Sequence, residues 1–403
     1  MDGVRVLEVA QWWFVPAAGA VLADWGADVI KIEHPVLGDG QRGLAAVGFK
    51  SSEGNVDFMM QQSNRGKRSV GLDIANPEGR ELLYRMAERC DVFLTNFLPD
   101  ARRRLQIDVE HIRARNPNAI YVRGSGQGPK GPDAAKGGYD ATAFWSRGGI
   151  AHALTPPGLE NPIMQRAAFG DSIGAMTVAG GIAAALFGRE RSGRAPVLDI
   201  SLLNTAMWVL APDIVASKLV TPGTGGPPRF TRQQAPNPVG NSYKTKDGRW
   251  LLLMMLQADK HWPDFCRHID RPDMIGDERF ASFGARFQNR EACIAILDEI
   301  FATRSLAEWR EKFATLEGPW APMQTAEEIH ADPQSVANGY LPEVDGGDKG
   351  LFKLVASPVQ FDEEPLAIGG PSPEMGQHTE EVLLEMGLAW DEIAKLKEAG
   401  AIN

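Results

Sequence analysis

Residues 3–33 read GVRVLEVAQWWFVPAAGAVLADWGADVIKIE, and the order of runs inside them decides the fold. Val4 to Val9 is a short apolar run of strand length. Pro16 to Trp25 reads as a helix that stops at Gly26, and Asp28 to Glu33 as a second buried strand. Strand, helix and strand in that order make a βαβ unit, which requires a parallel sheet with both faces covered.

The pattern continues downstream. Strands are expected at Ser69–Ile74, Val92–Thr95 and Ala119–Arg123. Asn76-Pro77-Glu78 supplies a capping side chain, a proline at the first helical position and an early acid, so a helix should run from there to about Arg89. A Gly/Ala-rich helix follows Asp171, then a strand at Pro196–Ser201 and a helix at Leu203–Lys218. Composition shifts at Thr221 to Asn241, where Pro222, Pro227, Pro228, Pro236 and Pro238 mark a linker. Asp247-Gly248 between two apolar runs signals a hairpin. Helices are expected at Lys260–His268, Arg290–Ala302 and Ser305–Thr315, the last with Ser305 and Glu308 as a capping box. Beyond a second Pro/Gly-rich passage with a short helix near Thr325–His330, helices close the sequence at His378–Met386 and Asp391–Ala399.

The chain has 403 residues, 43% of them hydrophobic, enough for two or three domains. A formal net charge of −10 disfavours nucleic acid or an anionic membrane as the main partner. Ser172 to Gly188 is uncharged, but it reads as too short and too weakly hydrophobic to span a membrane. No basic leader precedes the first strand, and three scattered cysteines suit neither a disulfide framework nor a zinc site. A reducing cytoplasm is the expectation. No histidine pair has metal-ligand spacing, and no metal is expected. Gly124-Ser125-Gly126-Gln127-Gly128-Pro129 follows a strand but runs into proline, so it is not a dinucleotide fingerprint.

Gly170-Asp171-Ser172-Ile173-Gly174 is the segment with chemistry in it, and it has three readings. As G-x-S-x-G it is a hydrolase elbow with Ser172 as nucleophile and His378 as base, though Met164 to Ala168 makes a poor preceding strand. As a helix start, Asp171 is an N-cap. As a carboxylate among glycines, Asp171 could attack a thioester while neighbouring amides hold the oxyanion. A carboxylate suits acyl exchange because the mixed anhydride it forms stays activated, so a departing thiolate can return.

The chain resembles the class III CoA-transferases (the CaiB/BaiF type), a family that also contains the α-methylacyl-CoA racemases. The resemblance runs nearly end to end, through Gly3 to Glu8, Gly26 to Glu33, Asn64 to Ser69, Leu72-Asp73, Pro77 to Gly79, Asn96-Phe97, Gly138-Tyr139-Asp140, Gly170-Asp171, Ala331 to Gln334 and Gly376 to Leu383. It implies an α/β fold. Residues 1–220 would form the first part of a Rossmann-like CoA-binding domain, 221–241 a linker and 242–317 a small α+β domain. Residues 318–350 would be the return linker, and 351–403 would complete the large domain. An interlocked homodimer is implied as well.

Asp171 then matches the nucleophilic aspartate, with Tyr139 and Asp140 beside it as catalytic candidates. His34, Leu72, Asn96, Phe97 and Arg104 match positions that hold the coenzyme. Ala75 replaces a lysine that contributes there. Acyl-CoA and small carboxylic acids are the implied substrates, with no tightly bound cofactor. The departures bear on the reaction. Racemases have a histidine where this chain has Tyr139, and tyrosine, with an ordinary pKa of about 10, is a poor base at neutral pH. Formyl-CoA transferases have glutamine, tryptophan and tyrosine where Trp13, Leu44 and Met59 stand, so the pocket is expected to be apolar. CoA transfer is the preferred activity; an acyl-CoA racemase and a Ser172 thioester hydrolase are the alternatives.

Overall fold

A computed structural model describes residues 1–48, 50, 56–220 and 228–403, so residues 221–227 of the expected linker lie outside the described residues. The chain divides into two compact units. One takes Met1–Leu154, Pro162–Val215 and Pro333–Asn403, the other Thr155–Asn161 and Ala216–Asp332.

The larger unit is built on six parallel strands: β1 (Arg5–Val9), β2 (Asp28–Glu33), β3 (Arg68–Gly71), β4 (Val92–Thr95), β5 (Ile120–Ser125) and β6 (Val197–Ser201). Their order is β3-β2-β1-β4-β5-β6. Each matches the sequence reading to within a few residues. The helices are α1 (Phe14–Asp24), α2 (Phe58–Asn64), α3 (Pro77–Ala87), α4 (Pro99–Leu105), α5 (Val109–Arg115), α6 (Ile150–Leu154) and α7 (Phe169–Ser192). α3 starts as its sequence dictates, with the Asn76 side chain accepting the Glu78 amide and Pro77 at the first position. The expected helix Leu203–Lys218 is two helices, α8 (Leu202–Val209) and α9 (Ala211–Leu219). Pro212 explains the break, because it has no N–H to continue the ladder.

Alternation along β1 sends Val6 into one core and Leu7 and Val9 into another. Val6 packs with α1 and α7 side chains such as Leu22, Val178 and Ile182. Leu7 packs with Leu83 of α3, Ile112 of α5 and, from the end of the chain, Leu383 and Ile393. Both faces are thereby covered, each large aliphatic contributing roughly 1.5–3 kcal/mol by burial.

The second unit holds the hairpin β7 (Ser242–Lys244) and β8 (Trp250–Leu253), with β9 (Trp320–Pro322) added antiparallel. Around it lie α10 (Ala258–His268), α11 (Phe283–Gln288), α12 (Arg290–Phe301), α13 (Leu306–Lys312) and α14 (Ala326–Ile329). Ser305 and Glu308 form the expected capping box at α13. The stretch expected as a plain return linker carries more structure than one short helix. α15 (Pro333–Ala337) and the pair β10 (Glu343–Asp345) and β11 (Leu351–Lys353) also form there and belong to the larger unit. α16 (Thr379–Glu385) and α17 (Trp390–Glu398) follow, and Ile402 then bridges to Leu72 at the edge of the large sheet.

α7 corrects one expectation. At 24 residues with a mean hydropathy of 1.3, it is long and apolar enough to cross a membrane by those measures alone. Its inner face is nevertheless buried against the core of the larger unit, and Asp171 stands in its first turn.

Candidate active site

The strand order reverses direction between β1 and β4, which splits the loops above the strand ends and opens a crevice there. A cleft of about 370 Å³ occupies that position. Gln11, just after β1, and Asn96, just after β4, stand on its two sides. They are tied together: the Gln11 amide donates to Asn96 Oδ1 at 3.1 Å, and Asn96 Nδ2 donates to the Gln11 carbonyl at 2.6 Å. The end of β5 supplies Gly124-Ser125-Gly126. Side chains are excluded there by packing, since a Cβ on Gly126 would lie 2.6 Å from Gly138 Cα. The glycine run that failed as a dinucleotide fingerprint is therefore a smooth wall of the cleft.

Asp171 lines this cleft from the first turn of α7. It is not the N-cap, which corrects the structural reading of its sequence. The cap position is Ala168, with φ 60°, and its side chain caps nothing. The capping carboxylate comes from Asp140, thirty residues earlier, which accepts the Gly170 amide at 3.0 and 3.1 Å. Gly170 must be glycine for this, because a Cβ would fall 2.5 Å from Asp140 Oδ1. Asp140 is buried, and burial raises its pKa against the lowering effect of Gln165 and the first-turn amides. Asp171 makes no ion pair among the described residues. Burial first, and the adjacent Asp140 carboxylate second, push it up to about 7.

Ser172 is otherwise engaged. Its hydroxyl donates to the Ala168 carbonyl at 2.8 Å and accepts the Trp13 indole N–H at 3.0 Å. No strand precedes it, and His378 accepts the Ser69 amide at the sheet's β3 edge. Both requirements of a hydrolase elbow thus fail, and the Ser172 reading is overturned.

The arginine run resolves into three fates. Arg102 bonds Asp108 and the Phe97 carbonyl, Arg103 pairs with Asp100, and Arg104 lines the cleft without an ion pair among the described residues. Asn96 and Phe97 also line it. His34 and Leu72 are not among its described lining residues. Instead, His34 Nδ1 accepts the Val36 and Leu37 amides, and Leu72 is a core residue 1% exposed.

The expected acyl pocket also moves. Trp13 turns to Ser172, Met59 is buried in α2, and half-buried Leu44 sits in a 3₁₀ turn (Gly40–Val47). None is among the described lining residues, whereas Trp12, Phe14 and Tyr139 are. The pocket remains apolar, but its aromatic wall is one residue earlier than expected. Sequence could not settle this, since adjacent tryptophans leave either one free to face inward and the positive φ of Trp12 leaves no local signature.

The profile of CoA-transferase family III matches residues 1–379. The chain is 30% identical, over its whole length and 99% of the relative's, to an (R)-2-hydroxy-4-methylpentanoate CoA-transferase from Clostridioides difficile. It is 32% identical to a cinnamoyl-CoA:phenyllactate CoA-transferase from Clostridium sporogenes, covering 98% of this chain and 96% of that one. Its fold superposes with a TM-score of 0.82 on the crystal structure of a CaiB/BaiF family protein from Brucella suis, at 28% identity over 96% of this chain and 98% of the other. With a six-stranded parallel sheet, a cleft at its switch point and matches of this extent, the chain belongs to CoA-transferase family III.

Proposed function

We propose that this transferase moves coenzyme A from an acyl-CoA to a carboxylic acid through covalent intermediates on Asp171. The observation that carries this is a carboxylate relieved of capping duty by Asp140 and aimed into an apolar cleft without a cationic partner. In its ionised form Asp171 attacks the thioester carbonyl, the C–S bond breaks, and a mixed anhydride and the CoA thiolate result. The thiolate then attacks the aspartyl carbonyl, releasing the donor acid and leaving an aspartyl-CoA thioester. The acceptor carboxylate repeats the sequence in reverse and restores free Asp171. Burial that raises the pKa also strips water from the oxygens, which strengthens the nucleophile and protects the anhydride.

Arg104 is the residue proposed to hold a phosphate of the coenzyme, by the charge-assisted contact that guanidinium makes well. Tyr139 lies on the cleft wall in place of the racemases' histidine, and a phenol suits orienting the acyl group better than relaying its α-proton. Transfer is therefore favoured over racemisation. A homodimer fits the exposed apolar side chains Phe187 on α7 and Met207 and Trp208 on α8, which no element covers among the described residues. Three free, buried thiols fit a reducing compartment.

The test is chemical. Incubation with acyl-CoA and hydroxylamine should convert Asp171 to its hydroxamate, located by peptide mass spectrometry. A modified peptide elsewhere, or turnover by Asp171→Ala, would sink the proposal.

A further inference from the structure

Trp12 has a left-handed backbone, φ 69°, and among the described non-glycine residues with positive φ it is the only aromatic. A bulky residue is disfavoured there and persists only where its surroundings hold it. The holding groups are identifiable. The Trp12 amide donates to Asp39 Oδ1 at 2.9 Å. Asp39 is 1% exposed, and its other oxygen lies 2.8 Å from Lys31 Nζ. Lys31 is itself fully buried and fixed by Glu8 and the Ala10 carbonyl. The indole rests on the Gly40 backbone, where a Cβ would come within 2.9 Å of it. A charge cluster sealed beneath the sheet ends thus terminates in the main chain of one tryptophan.

That tryptophan fills no core. It is 37% exposed and lines the cleft, with its ring edge-to-face against Tyr139 at 5.8 Å between centroids. The chain neighbours of this pair grip the first turn of α7 on either side of Asp171: Trp13 at Ser172, Asp140 at Gly170. The two rings therefore stand at the end of the cleft where Asp171 lies.

Resting on the Asp171 reading, we propose that Trp12 determines acyl specificity and that the enzyme favours acyl groups carrying an aromatic ring. A flat ring can pack on the indole face and against the phenol edge, the arrangement aromatic pairs prefer. The Asp39–Lys31 pair is a positioning device that keeps the indole in place.

The experiment compares 3-phenylpropanoyl-CoA with propanoyl-CoA as donors to a common acid, in the wild type, Trp12→Phe and Trp12→Ala. The wild type should prefer the aryl donor in kcat/KM. Trp12→Ala should lower the aryl-to-propanoyl ratio by roughly 10–100-fold, the range that loss of a specific apolar contact commands. Trp12→Phe should keep most of the ratio, which a folding defect could not do. An unchanged ratio in Trp12→Ala, or a wild-type preference for propanoyl-CoA, overturns this inference while transfer itself stands. Absence of both transfer and an Asp171 adduct with either donor sinks the Asp171 reading, and this inference with it.

Discussion

The Asp140 carboxylate accepts the Gly170 amide at 3.0 Å, and so performs for α7 the capping that Asp171, one residue further on, would otherwise supply. Two acids thereby share one helix terminus, one capping it and the other, in the proposed function, left to act as the nucleophile. Asp140→Asn can keep an acceptor oxygen at the cap, and Asp140→Ala cannot. Asp140→Ala should lose about 0.5–2 kcal/mol in chemical denaturation and misplace Asp171, while Asp140→Asn stays near the wild type in stability.

The pH profile follows from the raised Asp171 pKa. Attack needs the ionised form, so kcat/KM should climb through about pH 7 and fall roughly tenfold per unit below it. Asp140→Asn removes the neighbouring like charge and leaves burial unchanged, so its acidic limb should move to lower pH. A limb unmoved by that substitution would show that Asp140 does not act on Asp171 through charge.

Stability should run against activity. A folded-state pKa above the unfolded one means the protonated acid suits the fold, and the stability it provides is lost as pH rises through about 7. Asp171→Asn should therefore stabilise the apo-protein at pH 8 by ~1–3 kcal/mol and hardly at all near pH 4. Urea midpoints at the two pH values check the sign.

Coenzyme binding should separate the three neighbouring arginines. Arg104→Ala should raise the donor KM tenfold or more with little change in kcat, as loss of one charge-assisted phosphate contact requires. Arg103→Ala, whose partner is exposed Asp100, should be silent. Steady-state kinetics at two ionic strengths would show whether the Arg104 effect is electrostatic.

Lys31 lies fully buried between Glu8 and Asp39. Lys31→Met would strip buried Asp39 of its cation while Glu8 keeps Lys67 at 2.9 Å, and should cost about 3–5 kcal/mol. Thermal melts against the wild type read the loss directly.

The alternating pattern of residues 3–33 announced the parallel sheet because each strand is buried on both faces and each helix has a punctuated end. Asn76-Pro77 and Ser305…Glu308 were equally plain, since their partners lie within three residues. The site was only half legible. Asp171 and Arg104 could be singled out by resemblance, yet the reason Asp171 is free lies in Asp140, thirty positions before the Gly170 amide it caps, and no local pattern announces a cap supplied from that distance. Trp12 was obscured by Trp13, since nothing in two adjacent indoles says which one turns toward the cavity.

The bridge between Leu72 and Ile402, with the Asp73 amide donating to the Ala401 carbonyl, has a consequence for biosynthesis. Leu72, just past the end of the edge strand β3, is translated 330 residues before Ile402, which covers it. At elongation rates of about 5–20 residues per second the nascent sheet must wait on the order of tens of seconds with that border unguarded. During that interval it is open to pairing with another copy of itself, and chaperone demand in the cell should track the time taken to translate the intervening residues.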